Sequence, residues 1–419
     1  MKKRIVMILA VLALIGVLAG CGKEKNNTAT TTPSVTEGPT ATSTPSPEPT
    51  ATSTPTPIPE DTPTPTPTPL PDPVGVSIKE IFGAHGVKAG TCLTTMMTGN
   101  ADTAKLIKEQ FNSVTMENDM KPDYILSEAK SKAAGEVVVE LTPNIITMLD
   151  WARANGMAVR GHTLVWHSQT PEWFFHEDFD TKKPLVGREE MLKRMESEIK
   201  QLFEQLTEKG YADLFYAYDV VNEAWMEDGS MRKSNWTATI GEDFIWHAFN
   251  FANKYAPENI DLYYNDYNEQ FKTSTLEKFV KTLVDDKGNY LIDGIGFQAH
   301  LYTKDDLKQY FNTVDTLSKL GLKIQLTELD VCLGKYQSPQ MPTTTHLLEQ
   351  GRYYYDLING LLERVDAGTL KMDALTFWGF SDGMSWRKTY SPLLFDKNLK
   401  VKPAFYGAAQ MKDLCGYGE

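Results

Sequence analysis

An amide and a carboxylate stand side by side at Asn222 and Glu223, where the apolar run that begins at Phe215 gives out. That run, FYAYDVVNEAW through Trp225, is rich in aromatic and β-branched residues, the pattern of a strand covered on both faces. Other strand-like runs end in the same kinds of residue. Glu117, Asn118, Asp119 and Lys121 follow the second run, and His162, Trp166 and Gln169 close the third. Asn265, Asp266, Tyr267 and Asn268 follow the fifth. Gln298 and His300 end the sixth, and Glu328 and Asp330 the seventh, each pair two residues apart and so on one side of the chain. Trp378 and Trp386 belong to the eighth. Singly, each fits a packed residue or a solvated loop charge. Their recurrence at one strand end after another does not.

Paired carboxylates such as Glu223 and Glu328 are the machinery of glycoside hydrolysis, in which one acid assists departure and the other is ionised. Amides and acids at its edges and aromatic faces beneath its rings suit a hydroxyl-rich ligand. A metal centre is less well supported, since no two histidines have helical ligand spacing and no CxxC occurs. No Gly-rich phosphate loop is present, and no metal or organic cofactor is expected.

The elements that must carry these residues alternate in type. The expected strands are Val87–Leu93, Phe111–Met116, Ala158–Val165, Leu214–Val221, Asp261–Tyr264, Gly294–Ala299, Lys323–Thr327 and Ala374–Phe380. Helical patterns fall between them, at Ala101–Gln110, Glu189–Lys209, Thr275–Val284, Asp305–Leu320 and Thr345–Ala367. A further helix should start at Pro143, capped by Thr142. Eight strands alternating with helices predict a parallel (β/α)8 TIM barrel, a single α/β catalytic domain over residues 74–419. In that fold, chemistry is done at the carboxyl ends of the strands.

The remainder of the 419-residue chain reads differently. Lys2, Lys3 and Arg4 precede an apolar stretch from Ile5 to Ala19, too short to span a membrane. It ends in Leu18-Ala19-Gly20-Cys21, which resembles the lipobox of bacterial lipoproteins. That resemblance implies a signal peptide over residues 1–20, lipidation of Cys21 and attachment to the cell membrane. Residues 21–73 are expected to form a disordered Thr/Pro-rich linker, with too few apolar residues for a core. The expected location is extracytoplasmic, anchored at the cell surface. A net charge of −13 argues against nucleic acid as a partner. The chain is expected to act as a monomer. Cys92, Cys332 and Cys415 allow at most one disulfide among them.

At this point the sequence resembles the endo-1,4-β-xylanases of glycoside hydrolase family 10. The blocks that carry the resemblance are Arg160–Gln169 (RGHTLVWHSQ), Asp219–Ala224 (DVVNEA), Gly296–Leu301 (GFQAHL), Thr327–Val331 (TELDV) and Trp378–Trp386 (WGFSDGMSW). The resemblance implies a retaining mechanism on xylan and xylo-oligosaccharides, with Glu223 as acid/base and Glu328 as nucleophile. It implies that Asn222 and His300 position the sugar and the nucleophile, with Asp330 as partner of His300. Glu117, Asn118, Lys121, His162, Trp166, Gln169, Gln298, Trp378 and Trp386 would line the glycone subsites, and Tyr267 the leaving-group side. Three positions depart from the family pattern: Asp119, Met384 and Tyr218 stand where Glu, an aromatic or polar residue, and Trp are common. A β-1,4-glucan-active glycosidase of the same fold, and a glycan-binding surface lipoprotein without activity, remain as alternatives.

Overall fold

The computed structural model describes residues 75–418, so the signal peptide, Cys21 and the linker lie outside the described residues. Eight strands carry the domain: β1 Lys88–Leu93, β2 Ser113–Met116, β3 Ala158–Gly161, β4 Phe215–Asn222, β5 Asp261–Asp266, β6 Gly294–Phe297, β7 Lys323–Cys332 and β8 Ala374–Phe377. Each pairs in parallel with the next, and β8 pairs with both β7 and β1, which closes the sheet into a barrel. Closure leaves no exposed sheet edge. The principal helices after successive strands are α1 Ala101–Gln110, α2 Pro143–Ala154, α3 Arg188–Glu208, α4 Phe244–Tyr255, α5 Glu269–Val280, α6 Leu307–Ser318, α7 Thr344–Asp366 and α8 Pro403–Ala408.

Several boundaries differ from the sequence reading. β3 stops at Gly161, and the chain pairs with β4 again only at Val165–Trp166, at the barrel mouth. β7 runs on to Cys332, so Glu328 and Asp330 sit on the strand itself. α5 begins at Glu269, well before the expected Thr275. Its first turns bury Glu269, Gln270 and Lys272, polar residues that hide the helical period from a hydrophobicity reading. Pro143 opens α2 as expected, but the Thr142 side chain makes no capping bond there. The helix entry rests on the preset proline backbone instead.

The barrel interior is polar to an unusual degree. Arg160 on β3 forms a two-pronged ion pair with Asp219 on β4, and both are buried. Its Nε reaches across to Gln325 on β7 at 2.9 Å, and Gln325 in turn donates to Asp373 at 2.7 Å. The buried charges of Arg160 and Asp219 are thus matched by hydrogen bonds. Cys92, Cys332 and Cys415 are buried free thiols. Tyr218 faces outward from β4, between the sheet and α3, with its ring 5.5 Å from that of Phe203. The ring lies so close to Gly161 that a Cβ there would meet it at 2.1 Å, which reserves that position for glycine.

The buried face of α3 is Met191, Met195, Ile199, Leu202, Phe203 and Leu206, and Glu198 lies fully buried within it. A buried Leu or Phe stabilises by about 2 kcal/mol, so a carboxyl among them is tolerated rather than favoured. Burial pushes its pKa well above the ordinary 4.5. The folded state therefore holds a proton that the unfolded chain releases above that value. The stability this proton confers is complete below 4.5 and declines as pH rises toward the folded pKa. Glu198→Gln keeps the shape and removes the titration. Urea midpoints should favour the variant increasingly as pH rises above the ordinary 4.5. A constant difference would show that Glu198 does not titrate on unfolding.

Candidate active site

At the carboxyl end of β4 the backbone turns sharply, and Glu223 has φ 57°, in the left-handed region. A non-glycine residue there costs about 1–2 kcal/mol, so neighbours must hold it. Four contacts do. The Glu223 N–H donates to the Asn265 carbonyl at 2.9 Å, and the Glu223 carbonyl accepts from Arg232 Nε at 2.9 Å. The Ala224 N–H donates to the Tyr264 hydroxyl at 3.0 Å, and Lys272 Nζ donates to the Trp225 carbonyl at 2.8 Å. Tyr264 and Lys272 both also donate to buried Asp266 on β5. Burial, against the opposing pull of Lys272, raises the Asp266 carboxyl to about 6.

Across the mouth, Glu328 is nearly buried on β7. Its Oε1 accepts from Asn265 Nδ2 at 2.8 Å, and its Oε2 lies 3.3 Å from His300 Nε2. Burial alone would raise the carboxyl. The hydrogen bond from His300 and the charges of His162, His300 and Lys121 overturn that and bring it to about 2. His300 responds in kind: burial lowers its pKa, but Asp330 and Glu328 raise it to about 10. His300 and Asp330 are direct partners on adjacent strands, with Nδ1 at 3.0 Å from Oδ2. That contact is an ion pair too bent for a good hydrogen bond. Asp330 also accepts from Arg387 Nη1 at 2.6 Å and Trp386 Nε1 at 3.1 Å.

The signs of these shifts define a window. The depressed Glu328 contributes stability above its ordinary 4.5 and loses it as pH falls through about 2. The raised His300 contributes below its ordinary 6.5 and loses it as pH rises through about 10.

Amides join the two carboxylates. Asn265 Nδ2 donates to Asn222 Oδ1 at 3.0 Å as well as to Glu328. Asn222 Nδ2 and Gln298 Nε2 donate to Glu223 Oε1 at 3.2 and 2.9 Å. Thr327 fixes Asn265 from behind through a 2.6 Å bond to its Oδ1. A Cβ at Gly296 would meet that same oxygen at 2.3 Å, so the glycine of the GFQAHL block makes room for Asn265. Asn222 thus contacts the Glu223 carboxyl directly and Glu328 only through Asn265.

Both carboxylates open into a cleft of about 870 Å³. Glu117, Asn118, Lys121, His162, Trp166 and Gln169 line it from β2 and β3. There Lys121 Nζ donates to Asn118 and Gln169 at 3.1 and 2.8 Å and lies 5.0 Å over the Trp166 ring. Burial lowers the Lys121 pKa and raises that of Glu117. His162 is fixed by Asp219 at 2.9 Å and meets Trp378 edge-on at 5.5 Å. Tyr267, Gln298, His300, Trp378 and Trp386 complete the set. Asp330 is fully buried behind His300 and does not line the cleft. Asp119, Met384 and Tyr218 are likewise outside its lining.

The sequence reading missed Asn265, which touches the nucleophile candidate, although it stood in view at the end of the fifth strand. It also missed Tyr302, on the short strand His300–Tyr302 that pairs with β7, and Arg232, Tyr336 and Arg387 in the cleft wall, which come from loops with no periodic signal. The string Gly379-Phe380-Ser381-Asp382-Gly383 matches the Gly-x-Ser-x-Gly of serine esterases. Ser381 is buried, however, and its hydroxyl donates to the Asp396 carbonyl at 2.8 Å, so it offers no nucleophile.

Comparison with known proteins agrees with this geometry. The profile described as glycosyl hydrolase family 10 matches residues 77–411. Endo-1,4-β-xylanase B of Butyrivibrio fibrisolvens is 38% identical over 333 residues, covering 76% of this chain and 51% of that protein. Endo-1,4-β-xylanase A of Thermotoga maritima is 35% identical over 333 residues, covering 76% of this chain and 29% of that protein. The chain therefore spans about half the length of the first and less than a third of the second. Among solved structures, the CBM22-1–GH10 modules of a Clostridium thermocellum endo-1,4-β-D-xylanase, complexed with xylohexaose, superpose with a TM-score of 0.72. They are 32% identical and cover 82% of this chain and 69% of that one. A mutant intracellular xylanase of Thermoanaerobacterium saccharolyticum, in complex with xylotetraose, gives a TM-score of 0.69 at 31% identity, covering 79% of this chain and 97% of that one. By its sequence and its barrel, this chain belongs to glycosyl hydrolase family 10.

Proposed function

We propose that the chain hydrolyses internal β-1,4-xylosidic bonds of xylan with retention of configuration, and that it works at the cell surface on a lipid anchor at Cys21. The observation that carries the catalytic reading is the unequal treatment of the two carboxylates. Glu328 is buried yet held ionised at about 2 by His300 and the surrounding positive charge. Glu223 receives only neutral amide donors, from Asn222 and Gln298. One group is held as a charge by ionic partners and the other has none, a division that suits the nucleophile and the acid/base of double displacement.

In the first step Glu328 attacks the anomeric carbon and forms a glycosyl ester. Glu223 gives its proton to the departing oxygen, so the leaving chain exits as a free hydroxyl. In the second step Glu223 takes a proton from water, the water oxygen bonds to the anomeric carbon, and Glu328 leaves as a carboxylate. Lys121, Asn118 and Gln169 hold the glycone hydroxyls, while Trp378 and Trp386 supply apolar faces. Tyr267 receives the leaving sugar. The relatives' activities support xylan as the substrate. The glucan reading and the inactive-lipoprotein reading are excluded together if reducing sugar appears from xylan far faster than from soluble cellulose.

Removing either glutamate should separate the two roles. Glu223→Ala should lose xylan hydrolysis but keep turnover of dinitrophenyl xylobioside, whose leaving group needs no proton, and azide should accelerate release as the β-glycosyl azide. Glu328→Ala should lose all turnover, and any azide product should be the α anomer. The opposite pair of anomers would reverse the assignment.

Asn265→Ala deletes a hydrogen bond to a charged group, worth about 1.5–3 kcal/mol. Without it the Glu328 carboxylate is no longer held in aim at the anomeric carbon, which should lower kcat/KM by roughly tenfold to a hundredfold. A change under about twofold would make Asn265 a packing residue only.

Lipidation has its own test. The native protein should fractionate with membranes, and Cys21→Ser should free it. An N-terminus cut elsewhere, with the protein soluble in the medium, would remove the anchor.

A further inference from the structure

We propose that Arg232 is a positioning residue for proton transfer, locking the Glu223 peptide to the leaving-group wall of the cleft; this rests on the reading of Glu223 as proton donor. The chain doubles back to deliver this side chain. After β4, Trp225 and Met231 form an antiparallel bridge, and the Arg232 N–H donates to the Ala224 carbonyl at 2.8 Å. The turn between them passes through Gly229 at φ 80°, where a Cβ would also meet Thr275 at 2.6 Å. The hairpin is thus seated against α5 and returns Arg232 beside the residue after Glu223.

From there the guanidinium has two acceptors. Nε donates to the Glu223 carbonyl at 2.9 Å, and Nη2 donates to the Tyr267 hydroxyl at 2.7 Å. Both are neutral oxygens, so the group acts here as a rigid two-pronged brace rather than as half of an ion pair. The brace joins the two things that must stay in register during departure of the sugar. One is the left-handed peptide that aims the Glu223 carboxyl. The other is the tyrosine beside the leaving group. The Tyr267 ring is itself supported by Lys272 Nζ at 4.0 Å. A general acid displaced by a fraction of its hydrogen-bond length loses efficiency only where the leaving oxygen needs its proton.

That dependence gives the test. Aryl β-xylobiosides with leaving groups of graded acidity are compared in the wild type, Arg232→Met, Arg232→Lys and Tyr267→Phe. Arg232→Met should lower kcat/KM by roughly tenfold to a hundredfold on methylumbelliferyl xylobioside and on xylan, part of what a general acid supplies. On the dinitrophenyl substrate the loss should stay below about threefold. Tyr267→Phe keeps the brace on Glu223 and should act mainly on KM. Arg232→Lys cannot span both acceptors and carries the same comparison if Arg232→Met does not fold. Equal losses on all leaving groups, or no loss, would overturn the proposal. A wild type that cleaves aryl cellobiosides and not xylobiosides would instead defeat the substrate reading, and the same comparison then runs on the cellobiosides.

Discussion

An ionised carboxylate held almost out of water at Glu328 sets the terms for the rest of the site. Burial works against that charge, and an isolated one would simply take up a proton. It persists because compensation arrives from several sides: His300 from the sixth strand's end, Asn265 from β5, and the charges of Lys121 and His162 from the opposite wall. Each compensating group then needs its own support. Asp330 holds His300 and is itself met by Arg387 and Trp386. Asp219 holds His162 and is met by Arg160, whose Nε runs on to β7 through Gln325. The polar barrel interior is the far end of this chain of obligations.

The other half of the site obeys a different constraint. Glu223 needs an aimed carboxyl, not a buried charge, and its neighbours act mainly on its backbone. Asn265, Tyr264, Arg232 and Lys272 each hold one polar group of the peptides from Glu223 to Trp225. Asn265 serves both halves, through its carbonyl to the Glu223 N–H and through its amide to Glu328. The separation of roles between two identical side chains thus comes from surroundings alone.

Much of this was legible in the sequence, for a physical reason. Strands covered on both faces are long apolar runs, so the polar residues that end them stand out, and of those named from strand ends all but Asp119, Asn265, Asp266 and Asp330 line the cleft. Asp330 was named as a partner of His300 through the family resemblance alone, since spacing placed it only on the same side of its strand as Glu328. Arg232 was hidden because a hairpin, not a strand, returns it to the site. The start of α5 was hidden because buried Glu269, Gln270 and Lys272 look like a solvated segment. Asn265 was visible but unremarkable, since its importance comes from Gly296 on β6 and Thr327 on β7 leaving it one orientation.

The central claim is that Glu328 is the group that bonds to the sugar. A 2-fluoro xylobioside with a dinitrophenolate leaving group should form its ester quickly and release it slowly. Intact mass should then show a single added glycosyl unit, and peptide mapping should place it on the fragment containing Thr327–Asp330. An adduct on the fragment containing Glu223, or steady turnover with no adduct at all, would contradict the account.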